Sequence, residues 1–278
     1  MQNLRAIYMR AQSQLSIPLL AVVLTTFAPD VSAQNEIRVA VASNFSHAMT
    51  VIAGRFEANT GHPVVLSFGS TGKHYAQIVN GAPFDAFFAA DAGRPERLEE
   101  EGVAVAGSRF TYALGKLVLW SRKKGYVDPD AAVLKRGFHR MAVANPKLAP
   151  YGKAAEEILR TLGLWETLSP RIVRGENISQ TYQFVYTGNA ELGFVAYSQI
   201  IRPGQSTAEQ IEGSFWEVPQ TLYSPIEQQA VLLTDNETVR DFLSYVRSEE
   251  VLKIIRDSGY GTPERRTTPS HSERSELK

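Results

Sequence analysis

The stretch Phe68–Asp91, FGSTGKHYAQIVNGAPFDAFFAAD, limits most narrowly what this chain can fold into. An apolar run, Val64–Phe68, gives way to Gly69-Ser70-Thr71-Gly72 and then to a helical pattern over roughly Thr71–Asn80. Gly81-Ala82-Pro83 turns the chain into a third apolar run, Asp85–Ala89. A strand that ends in small hydroxyl residues at a helix start is a natural anion seat. The first helical turn offers free N–H groups and the positive end of the helix dipole. The glycines let an anion approach the backbone, and Ser70 and Thr71 add hydroxyl donors. The same residues are ordinary helix caps, so one such junction carries little weight by itself.

The rest of the chain repeats the pattern. Ile37–Ala42 alternates as a strand, Ser43-Asn44 follows, and a helix then places Phe45, Met49, Ile52, Ala53 and Phe56 on one face. With the stretch above, this makes β-α-β-α-β. Hydroxyl or amide residues sit at the carboxyl ends of its first two strands, the edge where open parallel sheets bind ligands. After a charged helix at Arg94–Glu101, Ala113–Ser121 reads as a buried strand carrying the chain into a second lobe. There the pattern predicts a strand at Met141–Asn145, a loop at Pro146–Gly152 and a helix at Lys153–Leu162. A strand at Arg171–Arg174, a helix capped by Asn177 or Ser179, and a strand at Leu192–Tyr197 follow. Arg202–Gly213 is polar and expected to be exposed. Gln229–Leu233 reads as a strand, Glu237–Val246 and Val251–Asp257 as helices, and the charged tail from Pro263 as disordered. No internal repeat is evident in the residues themselves.

With 278 residues, 44% of them hydrophobic, the chain can bury a sizeable core. Its 29 basic and 29 acidic side chains balance, which argues against a nucleic-acid or anionic-membrane surface. The absence of cysteine excludes disulfides, thiolate metal sites, a cysteine nucleophile and a lipidated N-terminal cysteine. Arg5 and Arg10 precede an apolar run from Ile17 to Phe27, and Val31-Ser32-Ala33 is a small-residue cleavage pattern. This is the layout of a secretory signal peptide over residues 1–33, with Met9 as an alternative start and Gln34 as the first mature residue. The apolar run is too short to span a bilayer comfortably.

Four junctions therefore look alike: Ser43-Asn44, Ser70-Thr71, Pro150-Tyr151 and Asn177-Ile178. Together they could surround one anion with neutral donors, namely backbone N–H groups, hydroxyls and one side-chain amide. A phosphate site would want an acceptor for the ligand's proton, and the first two junctions carry no acidic side chain. The pattern leans toward a fully ionised tetrahedral oxyanion. An enzyme is the competing class, but Ser43 and Ser70 lie in no G-x-S-x-G elbow, and Gly69–Gly72 is not a P-loop. His47 sits about one helical turn after Ser43, within reach of a contact. Asp85 and Asp91 flank an apolar strand without clustered histidines, and a structural role is expected for them.

Ala40–Asn44 (AVASN), the Phe68–Asp91 block, Ala142–Ala155 (AVANPKLAPYGKAA) and the block from Gly175 to Ile200 resemble molybdate-binding proteins of ABC importers. The similarity runs from about Ile37 to Pro263. It implies a type II periplasmic binding-protein fold, α/β and two-lobed. Each lobe would be a central, mostly parallel sheet flanked by helices, with the ligand in the cleft. The implied division is lobe 1 over 34–115, lobe 2 over 116–222 and a return to lobe 1 over 223–262. Carried onto this sequence, Ser43 and Thr71 would each give a hydroxyl and an N–H, and Tyr151 and Ile178 backbone N–H groups. Some members add a tyrosine hydroxyl near Phe194–Ser198. Here the aligned position is Ala196, with Tyr197 one step on and pointing the other way. Others use an Asn beside the first serine, and Asn44 fits that pattern as the fifth donor. The resemblance implies molybdate or tungstate as ligand, with molybdenum entering only as the oxyanion. It implies no cofactor and no catalysis, a periplasmic location, and a membrane permease with a cytoplasmic ATPase as partners. A monomer is expected, and sulfate or phosphate remain alternative ligands.

Overall fold

A computed structural model describes residues 36–201 and 211–263. The expected signal peptide and cleavage site, residues 202–210 and the tail beyond Pro263 lie outside the described residues. The strands form two five-stranded mixed sheets. In the first, β1 (Ile37–Ala42) pairs in parallel with β2 (Val64–Gly69) and β3 (Ala86–Phe88). The second repeats this arrangement with β6 (Met141–Ala144) between β7 (Ile172–Gly175) and β8 (Leu192–Ala196). Each sheet is then extended by one reversed strand and one more strand. These are β10 (Ile226–Leu232) and β4 (Phe110–Gly115) in the first sheet, and β5 (Leu117–Ser121) and β9 (Ser214–Glu217) in the second. The two lobes thus share a topology that the residues do not advertise as a repeat.

Helices fill the crossovers and cover both faces of each sheet. In the first lobe, α1 (Ser46–Thr60), α8 (Glu237–Val246) and α9 (Glu249–Asp257) pack Met49, Ile52, Phe242, Val246 and Ile255 on one side. On the other, α2 (Thr71–Val79) and α3 (Gly93–Glu100) bury Ile78 and Leu98. In the second lobe, α4 (Pro150–Thr161) and the short α5 (Trp165–Leu168) cover one face with Ile158, Leu159 and Leu168. There α6 (Ile178–Tyr186) and the short α7 (Tyr197–Ile200) cover the other with Val185 and Ile200.

Several elements depart from the sequence reading for identifiable reasons. The single strand expected over Ala113–Ser121 is two strands in different sheets, with only Lys116 between them. The Lys116 carbonyl is taken by the Tyr197 N–H at 2.9 Å, outside both ladders. Helix α4 begins at Pro150, whose fixed φ and missing N–H suit the first helical position, so Tyr151 lies in the first turn and not in a loop. Strand β10 starts three residues earlier than its apolar run, because Gln228 is buried by polar partners. Tyr197 opens α7 and does not end β8.

The chain crosses between lobes at Gly115–Leu117 and again between β9 and β10. At the first crossing a side chain on Gly115 would meet Gln228 Nε2 at 2.8 Å and Tyr151 Cζ at 2.9 Å, with the Tyr151 hydroxyl closer still. Gly115→Ala should therefore cost about 1–3 kcal/mol through overpacking. The expected fall in Tm is about 2–4 °C per kcal/mol, read by thermal unfolding. Gly54→Ala on α1, where a Cβ meets nothing within 4 Å, should lose no stability. Equal Tm values for the two variants would contradict this packing.

Candidate oxyanion site in the interlobe cleft

Four parallel strands, two from each lobe, end at one small cavity. The chain leaves β1 through a 3-10 turn, Ser43–Phe45, that runs into α1, while β2 leads into α2, β6 into α4 and β7 into α6. All five expected site residues, Ser43, Asn44, Thr71, Tyr151 and Ile178, line this cavity, and no charged side chain does. Its free volume is about 10 Å³. That is about the room one water-sized group needs and far below pockets for drug-sized ligands, so the space suits only a small ion.

The lobes meet around the cavity. The Gly72 N–H donates to the Leu148 carbonyl at 2.8 Å, and the Ser179 hydroxyl to the Ser43 carbonyl at 3.0 Å. Arg94 Nη2 reaches the Lys147 carbonyl at 3.1 Å, and Lys73 pairs with Glu176 at 3.7 Å. A Cβ at Gly72 would stand 3.0 Å from the Leu148 backbone, so a glycine there lets the two loops approach this closely. Asp91, next to the cavity-lining Ala90, pairs with Arg94. Asp85, at the opposite end of β3, accepts the Arg38 N–H at 2.8 Å, the structural role expected of it.

The individual donors differ in how free they are. Thr71 Oγ1 accepts the Ala90 N–H at 3.0 Å, which fixes the hydroxyl and leaves its proton to donate. Ser70, on the cavity wall beside it, has a buried Oγ with no partner among the described residues. The sequence reading counted both hydroxyls as donors, and both residues line the cavity. Asn44 requires a correction. Its side-chain amide is turned away from the cavity and donates to Gln228 Oε1 at 2.7 Å and to the Tyr260 hydroxyl at 3.2 Å. Both amide protons are thus committed, and any donor Asn44 offers the cavity is its main-chain N–H. Tyr151 likewise points its ring outward to the Gln228 amide at 3.0 Å, which leaves its backbone for the cavity. Asn177 caps α6 by accepting the Gln180 N–H at 2.9 Å. Tyr197 lies outside the cavity lining, its ring beside Phe215. His47 lines a neighbouring cleft with Ser179 and Gln199.

Comparison with known proteins bears directly on this arrangement. The family model for bacterial extracellular solute-binding proteins matches residues 37–261. The molybdate-binding protein ModA of Azotobacter vinelandii is 53% identical over 230 residues, covering 81% of this chain and 90% of the relative. The chain belongs to the ModA family of bacterial extracellular solute-binding proteins. ModA of Rhodobacter capsulatus is 49% identical over 234 residues, covering 83% of this chain and 90% of the relative. The solved Azotobacter vinelandii periplasmic molybdate-binding protein superposes with a TM-score of 0.78 at 44% identity, covering 82% of this chain and all of that one. The two-lobed type II periplasmic binding-protein fold is therefore that of this ModA-family chain.

One titratable group underlies the site. His74, on the first turns of α2, is buried against Phe84 and Phe87, and a Cβ at Gly69 would stand 2.8 Å from its Nε2. Burial lowers its pKa from the usual 6.5, against an opposing hydrogen bond to Gln77. As pH falls, the unfolded chain takes the proton first. The contribution of His74 to stability is full above about 6.5 and is lost as pH falls through the lower folded value. Thermal unfolding between pH 7 and 5 should show a shallower loss of Tm in His74→Gln than in the parent. Parallel curves would assign the acid sensitivity elsewhere.

Proposed function

We propose that the protein captures molybdate, or the isostructural tungstate, between its lobes and delivers it to an ABC-type permease. What carries the reading is a small cavity without formal charge, ringed by four helix starts, in a chain half identical to molybdate-binding relatives. Each helix start is equivalent to roughly half a positive charge, so four amount to about +2, enough to balance a dianion. Ser43 and Thr71 would supply hydroxyls and N–H groups, Ser70 a further hydroxyl, and Asn44, Tyr151 and Ile178 main-chain N–H groups.

The same features argue against the alternatives. Monohydrogen phosphate carries a proton that needs an acceptor, and no carboxylate lines the cavity. Sulfate shares molybdate's charge and shape, so selection between them falls to the spacing of the donors. A serine hydrolase would need a base at Ser43 or Ser70. His74 is the nearest histidine to the second junction, and its ring is packed beneath Gly69.

In this reading the lobes span residues 34–115 with 223–262 and residues 116–222. They hinge at the two crossings and close when the anion bridges them. The ligand stabilises the closed form by its greater affinity for it. The protein would act as a monomer outside the cytoplasm after removal of residues 1–33. It would dock in its closed form on a membrane permease whose ATPase lies in the cytoplasm.

Calorimetric titration of the mature protein with molybdate, tungstate, sulfate and phosphate tests this reading. Molybdate and tungstate should bind and phosphate should not; a response to sulfate alone would sink the assignment. Thr71→Ala should weaken molybdate by about 1.5–3 kcal/mol, roughly 10- to 150-fold in Kd. An unchanged Kd would remove Thr71 from the site.

A further inference from the structure

Behind the cavity lies a buried polar network that the anion would not touch. Its centre is Gln228 on β10, fully buried at an irregularity in the pairing of β10 with β4 between Gln228 and Gln229. Gln228 Oε1 accepts from Asn44 Nδ2 at 2.7 Å and from the Tyr112 hydroxyl at 3.1 Å. Its Nε2 donates to the Tyr151 hydroxyl at 3.0 Å. The single Tyr112 hydroxyl proton is shared with the Ala89 carbonyl, also at 3.1 Å, and the next residue, Ala90, holds Thr71 Oγ1. Tyr260 closes the ring, its hydroxyl donating to the Asn44 carbonyl at 2.6 Å.

We propose that Gln228 is a positioning residue that fixes the distance between the two walls of the cavity and so sets which tetrahedral oxyanion the site selects. Asn44 belongs to the first lobe's wall and Tyr151 to the second's, and one amide grips both. The proposal rests on the reading of the cavity as a molybdate site. Because that cavity holds its ligand by fixed dipoles, an ion of the wrong size leaves donors out of reach. A charged site tolerates misfit better, since Coulomb attraction falls slowly with distance while hydrogen bonds fail over a few tenths of an ångström. Discrimination between molybdate and the smaller sulfate therefore depends on keeping the walls from closing further. Both side-chain polar atoms of Gln228 have partners, and a buried network connected in this way rigidifies what it joins. Burial holds Tyr112 and Tyr151 well above the ordinary tyrosine pKa and Tyr260 at about 12, so all three hydroxyls stay neutral and the links persist across physiological pH.

The test compares Tyr151→Phe and Gln228→Met with the parent. Tyr151→Phe deletes only the hydroxyl that Gln228 holds and keeps the main-chain donor, and it serves if Gln228→Met does not fold. Kd is measured for sodium molybdate and, by competition, for sodium sulfate. The ratio of sulfate Kd to molybdate Kd should fall about tenfold in each variant. The double variant should fall no further, because both changes cut the same link. A uniform loss of affinity for both anions, with the ratio unchanged, would make the network merely structural and overturn the proposal. So would unaltered binding. A parent protein that binds no molybdate would instead remove the underlying reading, a failure visible before any variant is made.

Discussion

The site depends on bringing four helix N-termini to one point without a formal charge among them. Each start leaves N–H groups that its own helix cannot use, and the dipoles add where the axes converge. No single lobe achieves this, since each contributes two. Bringing the pairs together is opposed by their mutual repulsion, and an anion between them removes that opposition. In the proposed mechanism closure and binding are therefore one event. The contacts that span the cleft, from Gly72 to Leu148 and from Ser179 to Ser43, are mostly to main-chain carbonyls, so they fix the geometry and add little charge of their own.

The shared topology of the lobes explains why the proposed donors occupy equivalent places. Ser43 and Thr71 follow the first two parallel strands of one sheet, and Tyr151 and Ile178 follow the first two of the other. The third parallel strand of each sheet, β3 or β8, lies on the far side of the central one. Strand β3 runs on into α3, and β8 into α7, whose first N–H meets the Lys116 carbonyl at the first crossing. Gly115 sits where that crossing is tightest, with Gln228 and Tyr151 packed against it. The hinge and the back wall of the cavity are thus built from the same few residues.

Much of this was legible in the sequence, because β1, α1, β2, α2 and α8 each carry a periodic apolar pattern closed by a glycine or a hydroxyl. The four junctions could be read for the same reason, since the strand end, the small residue and the helix start are adjacent in the chain. What escaped depends on partners distant in sequence. Gln228 reads as a polar interruption before an apolar strand, and only its contacts with Asn44, Tyr112 and Tyr151 show it to be core. Asn44 was expected as a fifth donor, and the same network takes up its side-chain amide, which leaves only its main-chain N–H for that role. Strand β9 has too few apolar residues to announce itself, and it is held by pairing with β5.

The central claim is that neutral donors from both lobes enclose the anion. Anomalous diffraction at the molybdenum edge from crystals grown with molybdate measures this most directly. One peak is predicted, inside the cavity between Thr71 and Ile178, with Ser43 and Tyr151 on its other sides and no lysine or arginine in contact. A peak against Lys73 or Arg94 at the cleft mouth, or none within the cleft, would contradict the account.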